Sequence, residues 1–158
     1  MNNRAFKYLL IFFISIVGLF GFTACGDDKH YYEIGTDMDT HIFNVDYEQW
    51  RWNSNDHRYE YTYSFPEFDN YMFEDGAVQG WVYIWKNDGN TDYKVLTQCP
   101  YVQTYPNGTE TPYSETIGFD LYLNPTKKIV FYVQASDLSD TDEYLDDYSF
   151  KVNFIYRK

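Results

Sequence analysis

Cysteine is nearly absent from this 158-residue chain: Cys25 and Cys99 are the only two, too few for the disulfide framework that staples small secreted domains. Basic residues are scarce as well, 12 against 24 acidic ones, for a net charge of −12. A surface of that sign repels phosphate backbones, so nucleic acid is excluded as a partner. Histidine occurs only at His30, His41 and His57. No two of them have the helical spacing of a metal-ligand set, so solvated side chains and no metal or other cofactor are expected. There is no glycine-rich phosphate loop and no Gly-x-Ser-x-Gly elbow. Carboxylates are so numerous that no pair stands out as a glycosidase couple. Cys99 has no basic neighbour in sequence to activate its thiol. The chain is therefore expected not to be an enzyme.

Long apolar runs are missing too, with one exception. Residues 8–24 carry no charge, Arg4 and Lys7 precede them, and the run ends in the small pair Thr23-Ala24 before Cys25. Cations, apolar stretch and small residues in that order make a secretory signal over residues 1–24. The 17 uncharged residues fall short of the roughly 20 that span a bilayer. The segment ending at Cys25 resembles the bacterial lipobox, with Phe22 where leucine is more usual. That resemblance implies acyl chains on the thiol and amino group of Cys25, and two chains suffice for stable anchoring at roughly 0.8 kcal/mol per buried CH₂. Gly26 stands where an aspartate can retain lipoproteins in the inner membrane. Asp27-Asp28 resembles the export tag of surface lipoproteins in Bacteroides-type bacteria. The expected address is the outer membrane, lipid-anchored, on its periplasmic side or at the cell surface. An acylated Cys25 leaves Cys99 unpaired, and a buried, inert thiol is expected there.

Cleavage ahead of Cys25 removes Arg4 and Lys7 and no acid, leaving 134 residues with 10 cations, 24 acids and a net charge of −14. That is one domain, long enough for a real core. Residues 25–40 read as the lipidated cysteine and an acidic linker, and residues 41–158 as the folded domain. Aromatic residues make up 22% of the sequence, a composition suited to pleated, half-buried surfaces. Helical periodicity is almost absent; residues 67–74 offer one helical turn. Alternation with a period of two recurs instead. Phe43, Val45 and Tyr47 open it. Tyr59, Tyr61, Tyr63 and Phe65 follow, and residues 77–85 are apolar on both faces. Further strands are read at residues 94–98, around Ile117, Phe119 and Leu121, and around Ile129, Phe131 and Val133. Tyr148, Phe150, Val152, Phe154 and Tyr156 close the chain, and residues 99–112 read as a proline-rich loop. About seven strands with turn signals between them predict an all-β fold, an antiparallel immunoglobulin-like sandwich, with a small barrel as the alternative.

Several strand motifs carry a family likeness. They are Asp75-Gly76-Ala77-Val78 leading to Val82-Tyr83-Ile84, Thr116-Ile117-Gly118-Phe119, and the closing Tyr148-Ser149-Phe150-Lys151-Val152-Asn153-Phe154-Ile155. On these the chain resembles the small β-sandwich lipoproteins of Bacteroides-type bacteria, a group without assigned activity. The resemblance implies the same tethered sandwich and supplies no catalytic residues.

Two features are candidates for function. Trp81, Tyr83 and Trp85 share one face of a strand, and Trp50 and Trp52 alternate similarly. Such rings either cover a sheet or, if exposed, stack on sugars or on a protein. The acidic residues Asp137, Asp140, Asp142, Glu143, Asp146 and Asp147 fall within residues 137–147. Calcium favours such oxygens, but the EF-hand pattern is missing and a solvated loop is the simpler expectation. The expected function is that of an envelope-tethered accessory lipoprotein contacting another envelope protein. The alternative is a surface glycan-binding module using the aromatic residues.

Overall fold

A computed structural model describes residues 35–105, 113–142 and 145–157. The expected signal peptide, Cys25, Asp27, Asp28, His30 and Glu143 lie outside the described residues. Among the described residues the chain forms nine strands: β1 (Thr36–Val45), β2 (Arg51–Asn53), β3 (Arg58–Ser64), β4 (Ala77–Asn87), β5 (Asp92–Gln98), β6 (Tyr101–Tyr105), β7 (Tyr113–Tyr122), β8 (Lys128–Ala135) and β9 (Tyr148–Arg157). A 3-10 turn, Tyr47–Gln49, and one short helix, α1 (Asn70–Glu74), complete the elements. The strands make two antiparallel sheets, ordered β1-β9-β4-β5 and β2-β3-β8-β7-β6. The all-β antiparallel sandwich expected from the sequence is thus what the chain forms, as two separate sheets rather than a closed barrel. Among the described residues no helix is long and apolar enough to cross a membrane.

The strand count departs from the expected seven at two places. Flanking prolines make residues 101–105 read as loop in the sequence, yet Pro100 stays just outside β6. Within β6 every residue from Tyr101 to Tyr105 pairs with β7. A proline removes a ladder donor only at its own position. The second addition is β2, three residues long and paired with β3 from Arg51↔Glu60 to Asn53↔Arg58. The linker is also shorter than expected. Thr36 to Thr40 already pair with Arg157 to Asn153, so five residues assigned to it belong to β1.

Alternation turns into layers in the expected way. On β9, Tyr148, Phe150, Val152 and Phe154 are buried, and on β8 so are Ile129, Phe131 and Val133. Phe131 and Phe150 come from opposite sheets and stack across the interior with ring centroids 4.4 Å apart. Phe43 lies 5.1 Å from Phe131, and Phe65 stacks on Phe154 at 5.0 Å. The expected buried face of β3 is graded rather than sealed. Tyr61 packs against the core, whereas Tyr63 is exposed, because β2 has no residue opposite β3 beyond Glu60.

Between β3 and β4 the chain closes one end of the core. Phe65 and Phe68 are both buried there. Asp69 caps α1, its carboxylate accepting from the Met72 N–H at 2.8 Å, which fixes the helical turn within the expected stretch. Gly80 faces the interior of β4, and the ring of Phe119 from the other sheet rests where a Cβ would stand. This glycine serves a close approach, not a turn.

His41 departs from the solvated position expected of it. Its ring packs on Phe65, with centroids 5.0 Å apart, and its Nε2 lies 2.9 Å from an Asp39 carboxylate oxygen. His57 is exposed.

Candidate functional site

The five aromatic residues singled out in the sequence do not form one site. Trp50 is only 4% exposed and is out of reach of a ligand. Its Nε1 donates to the Asp146 backbone carbonyl at 3.1 Å, and Tyr148 meets it edge-on at 6.1 Å. Its burial is structural: it fastens the acidic segment to the domain. Trp52 lies on β2 in the five-stranded sheet, half-buried and tilted on Tyr59 at 5.2 Å. It borders an open, mostly polar groove with Gln49, Arg51, Asn53, Glu60 and Tyr61.

Trp81, Tyr83 and Trp85 do come together. On β4 the inward residues Val82 and Ile84 are buried, and pleating turns the three rings to the outer face of the four-stranded sheet. Trp81 and Tyr83 are half-buried, and Trp85, at 64% exposure, is the most exposed large apolar side chain among the described residues. Cross-strand register supplies their neighbours. Trp81 stands between Lys151 and Gln98, Tyr83 between Ser149 and Leu96, and Trp85 beside Lys94. The edge strand β1 adds Met38 and Ile42, both exposed. The polar groups on this face are tied together: Ser149 Oγ donates to Asn44 Oδ1 at 2.8 Å, and Thr40 Oγ1 donates to Asn153 Oδ1 at 3.0 Å.

Two lysines dress the rings. Lys94 Nζ lies 4.3 Å from the Tyr83 centroid and 5.8 Å from that of Trp85. Lys151 Nζ lies 5.7 Å from the Trp81 centroid. Each such contact is worth roughly 0.5–1 kcal/mol at an exposed position. Among the described residues neither lysine is in an ion pair. Sequence reading passed over both. Their alternation within β5 and β9 was visible, but facing β4 is a matter of register, which no local pattern carries.

The acidic segment is occupied with the fold. Asp140 accepts from the Tyr59 hydroxyl at 2.6 Å, Asp142 from the Tyr47 hydroxyl at 3.0 Å, and Asp147 from the Tyr47 backbone N–H at 2.6 Å. Burial and the Asp140 carboxylate push the Tyr59 phenol above its ordinary range. Among the described residues no three of His, Cys, Asp and Glu are grouped so as to hold a metal ion.

One buried acid went unnoticed in the sequence. Glu115 points inward from β7, its carboxylate accepting from the hydroxyls of Tyr105 and Tyr113, each at 3.3 Å. Burial raises its pKa above the ordinary carboxylate range, although both hydrogen bonds favour the charged form. The signal that could have found it is parity: Glu115 is two residues before the buried Ile117, on the same face. At 2% exposure it is sealed from any substrate in this structure. Cys99 is a free thiol, and burial pushes its pKa up to about 12. That keeps it protonated and unreactive at neutral pH.

In comparisons with family models, curated proteins and solved structures, nothing matches this chain.

Proposed function

We propose that this protein is a non-catalytic envelope lipoprotein, anchored in the outer membrane through acyl chains on Cys25, whose β4 face binds glycan. The reading of the face rests on one observation: Trp85 stands 64% exposed in line with Tyr83 and Trp81 on a sheet whose other face is core. The exposed ring of Trp85 offers a π-face to the apolar face of a sugar, and the cross-strand amides and hydroxyls beside the row can meet the sugar hydroxyls. A domain with no use for these rings in its interior has no structural reason to present them together.

Two measurements test the two halves of the proposal. Tryptophan fluorescence titrated with a mixed polysaccharide panel is expected to respond in the wild type. Trp85→Ala is expected to weaken the tightest interaction at least about fivefold, since stacking on one aromatic ring is worth roughly 1–3 kcal/mol in ring-stacking sites. An unchanged affinity in that variant would remove the face from the site. For the anchor, Cys25→Ser is expected to abolish labelling by a palmitate analogue and release the protein from membranes. Continued labelling and membrane retention would defeat the tether.

A second reading, docking of another envelope protein on this face, has its own support. Leu96 is exposed beside Tyr83, and Met38 and Ile42 are exposed on β1 beyond β9, which extends the apolar area of this sheet face beyond what a sugar needs. Retained Trp85 function in a protein crosslinking assay, together with silence toward every polysaccharide, would favour it.

A further inference from the structure

The four-stranded sheet has a charge pattern opposite to that of the chain. Outward positions from Met38 to Asn44 on β1, Ser149 to Ile155 on β9, Ala77 to Trp85 on β4 and Lys94 to Gln98 on β5 contain no Asp or Glu. Their only charged residues are Lys94 and Lys151, in a protein with twice as many acids as bases. Acids stand at the Trp85 end of this face: Asp92, opposite Asn87, whose oxygen accepts from the Asn87 amide, and Asp146 and Asp147, which line a cleft with Tyr83 and Trp85.

Building on the glycan reading, we infer that the ligand of this face is an acidic polysaccharide, with carboxylate or sulfate groups on its rings that pair with Lys94 and Lys151. The geometry of the ammonium groups carries the argument. Lys94 Nζ lies over the Tyr83 ring, so a neutral sugar stacking there must displace it and lose a cation–π contact. An anionic sugar stacked on the open ring of Trp85 instead meets that ammonium at its side. Lys151 Nζ lies over the Trp81 ring, two pleats further along the strand, and offers a second charge to an anionic group rather than a second open ring. The two anchoring points are set roughly 13 Å apart along β4 by four residues of strand rise, which fits a repeating polymer better than a single sugar. Repulsion from exposed carboxylates more than about 8 Å away is screened at physiological ionic strength, and Asp92 and Asp147 at the Trp85 end already accept hydrogen bonds, from the Asn87 amide and the Tyr47 backbone N–H.

Polygalacturonate and chondroitin sulfate, against dextran and methyl-esterified polygalacturonate, test this by calorimetry at physiological ionic strength. The expected result is binding of at least one acidic polymer, weaker or absent binding of the two neutral ones, and a roughly fivefold loss in Lys94→Gln/Lys151→Gln, the scale of two exposed charge contacts. Both substitutions are on the solvent face, so only a loss of a few degrees in melting temperature, from the cation–π contacts, is expected of the variant. Equal binding of dextran with no effect of the lysines overturns the acidic preference and leaves the glycan reading standing. Silence toward all four polymers overturns both. Binding to vesicles of anionic phospholipid in place of the polymers overturns the inference as well, and makes the face a membrane contact.

Discussion

Truncation of Phe131 to alanine is expected to destabilise the domain by about 3–5 kcal/mol, the usual cost of deleting a fully buried ring. Phe131 is 0% exposed and is the place where the two sheets meet. It stacks on Phe150 of the opposite sheet at 4.4 Å and also touches Phe43 and Phe119, at 5.1 and 6.1 Å. Those neighbours come from three different strands, so the cavity cannot be closed by shifting one of them. Chemical denaturation would report the loss as a lower midpoint with unchanged slope, and thermal unfolding as a drop of roughly 10–20 °C. A loss below about 1 kcal/mol would mean that the interior repacks, and that the sheets are not held where the ring contacts place them.

Gly80→Val is expected to be nearly as damaging, at about 3 kcal/mol, near the upper end for overpacking a close contact. By local propensity valine should improve a strand, so the sign of the effect separates the two influences. The added Cβ overlaps the Phe119 ring, and that ring lies in the other sheet, so relief requires the layers to part. A compensating Phe119→Leu in the same chain should recover a large part of the loss, and a double-mutant cycle measures the coupling. Additive losses would show that the two positions do not touch.

Much of this arrangement is legible in the sequence, and the boundary of what is legible has a physical meaning. Strict alternation located β9, because residues 148–156 place every second side chain in one core. It also placed Trp81, Tyr83 and Trp85 together on one face, but with Val82 and Ile84 apolar on the other it did not tell which of the two faces is outward. Alternation does not contain register, and Lys94 and Lys151 owe their place beside the rings to register alone. Nor does it separate an aromatic that a ligand can reach from one that a loop covers: Trp50 and Trp85 look alike in sequence, and only the hydrogen bond to Asp146 distinguishes them. The inward Glu115 was hidden for a related reason. An acid reads as solvent-facing by default, and the tyrosines that satisfy it arrive from β6 and from the start of β7.

The strand order β1-β9-β4-β5 also has a mechanical side. In the proposed arrangement, with acyl chains on Cys25 and a polymer bound on β4, a pull on the polymer would reach the anchor through β1. Between the two stands β9, paired with β1 from Thr36↔Arg157 to Val45↔Tyr148 and with β4 from Ala77↔Ile155 to Tyr83↔Ser149. Tension directed along the strands loads these ladders in shear, so that their hydrogen bonds resist together instead of opening one after another. Flow or a moving polymer would then load β1, β9 and β4, of 10, 10 and 11 residues, while β2 and β6, the shortest strands among the described residues, stay outside the line of force.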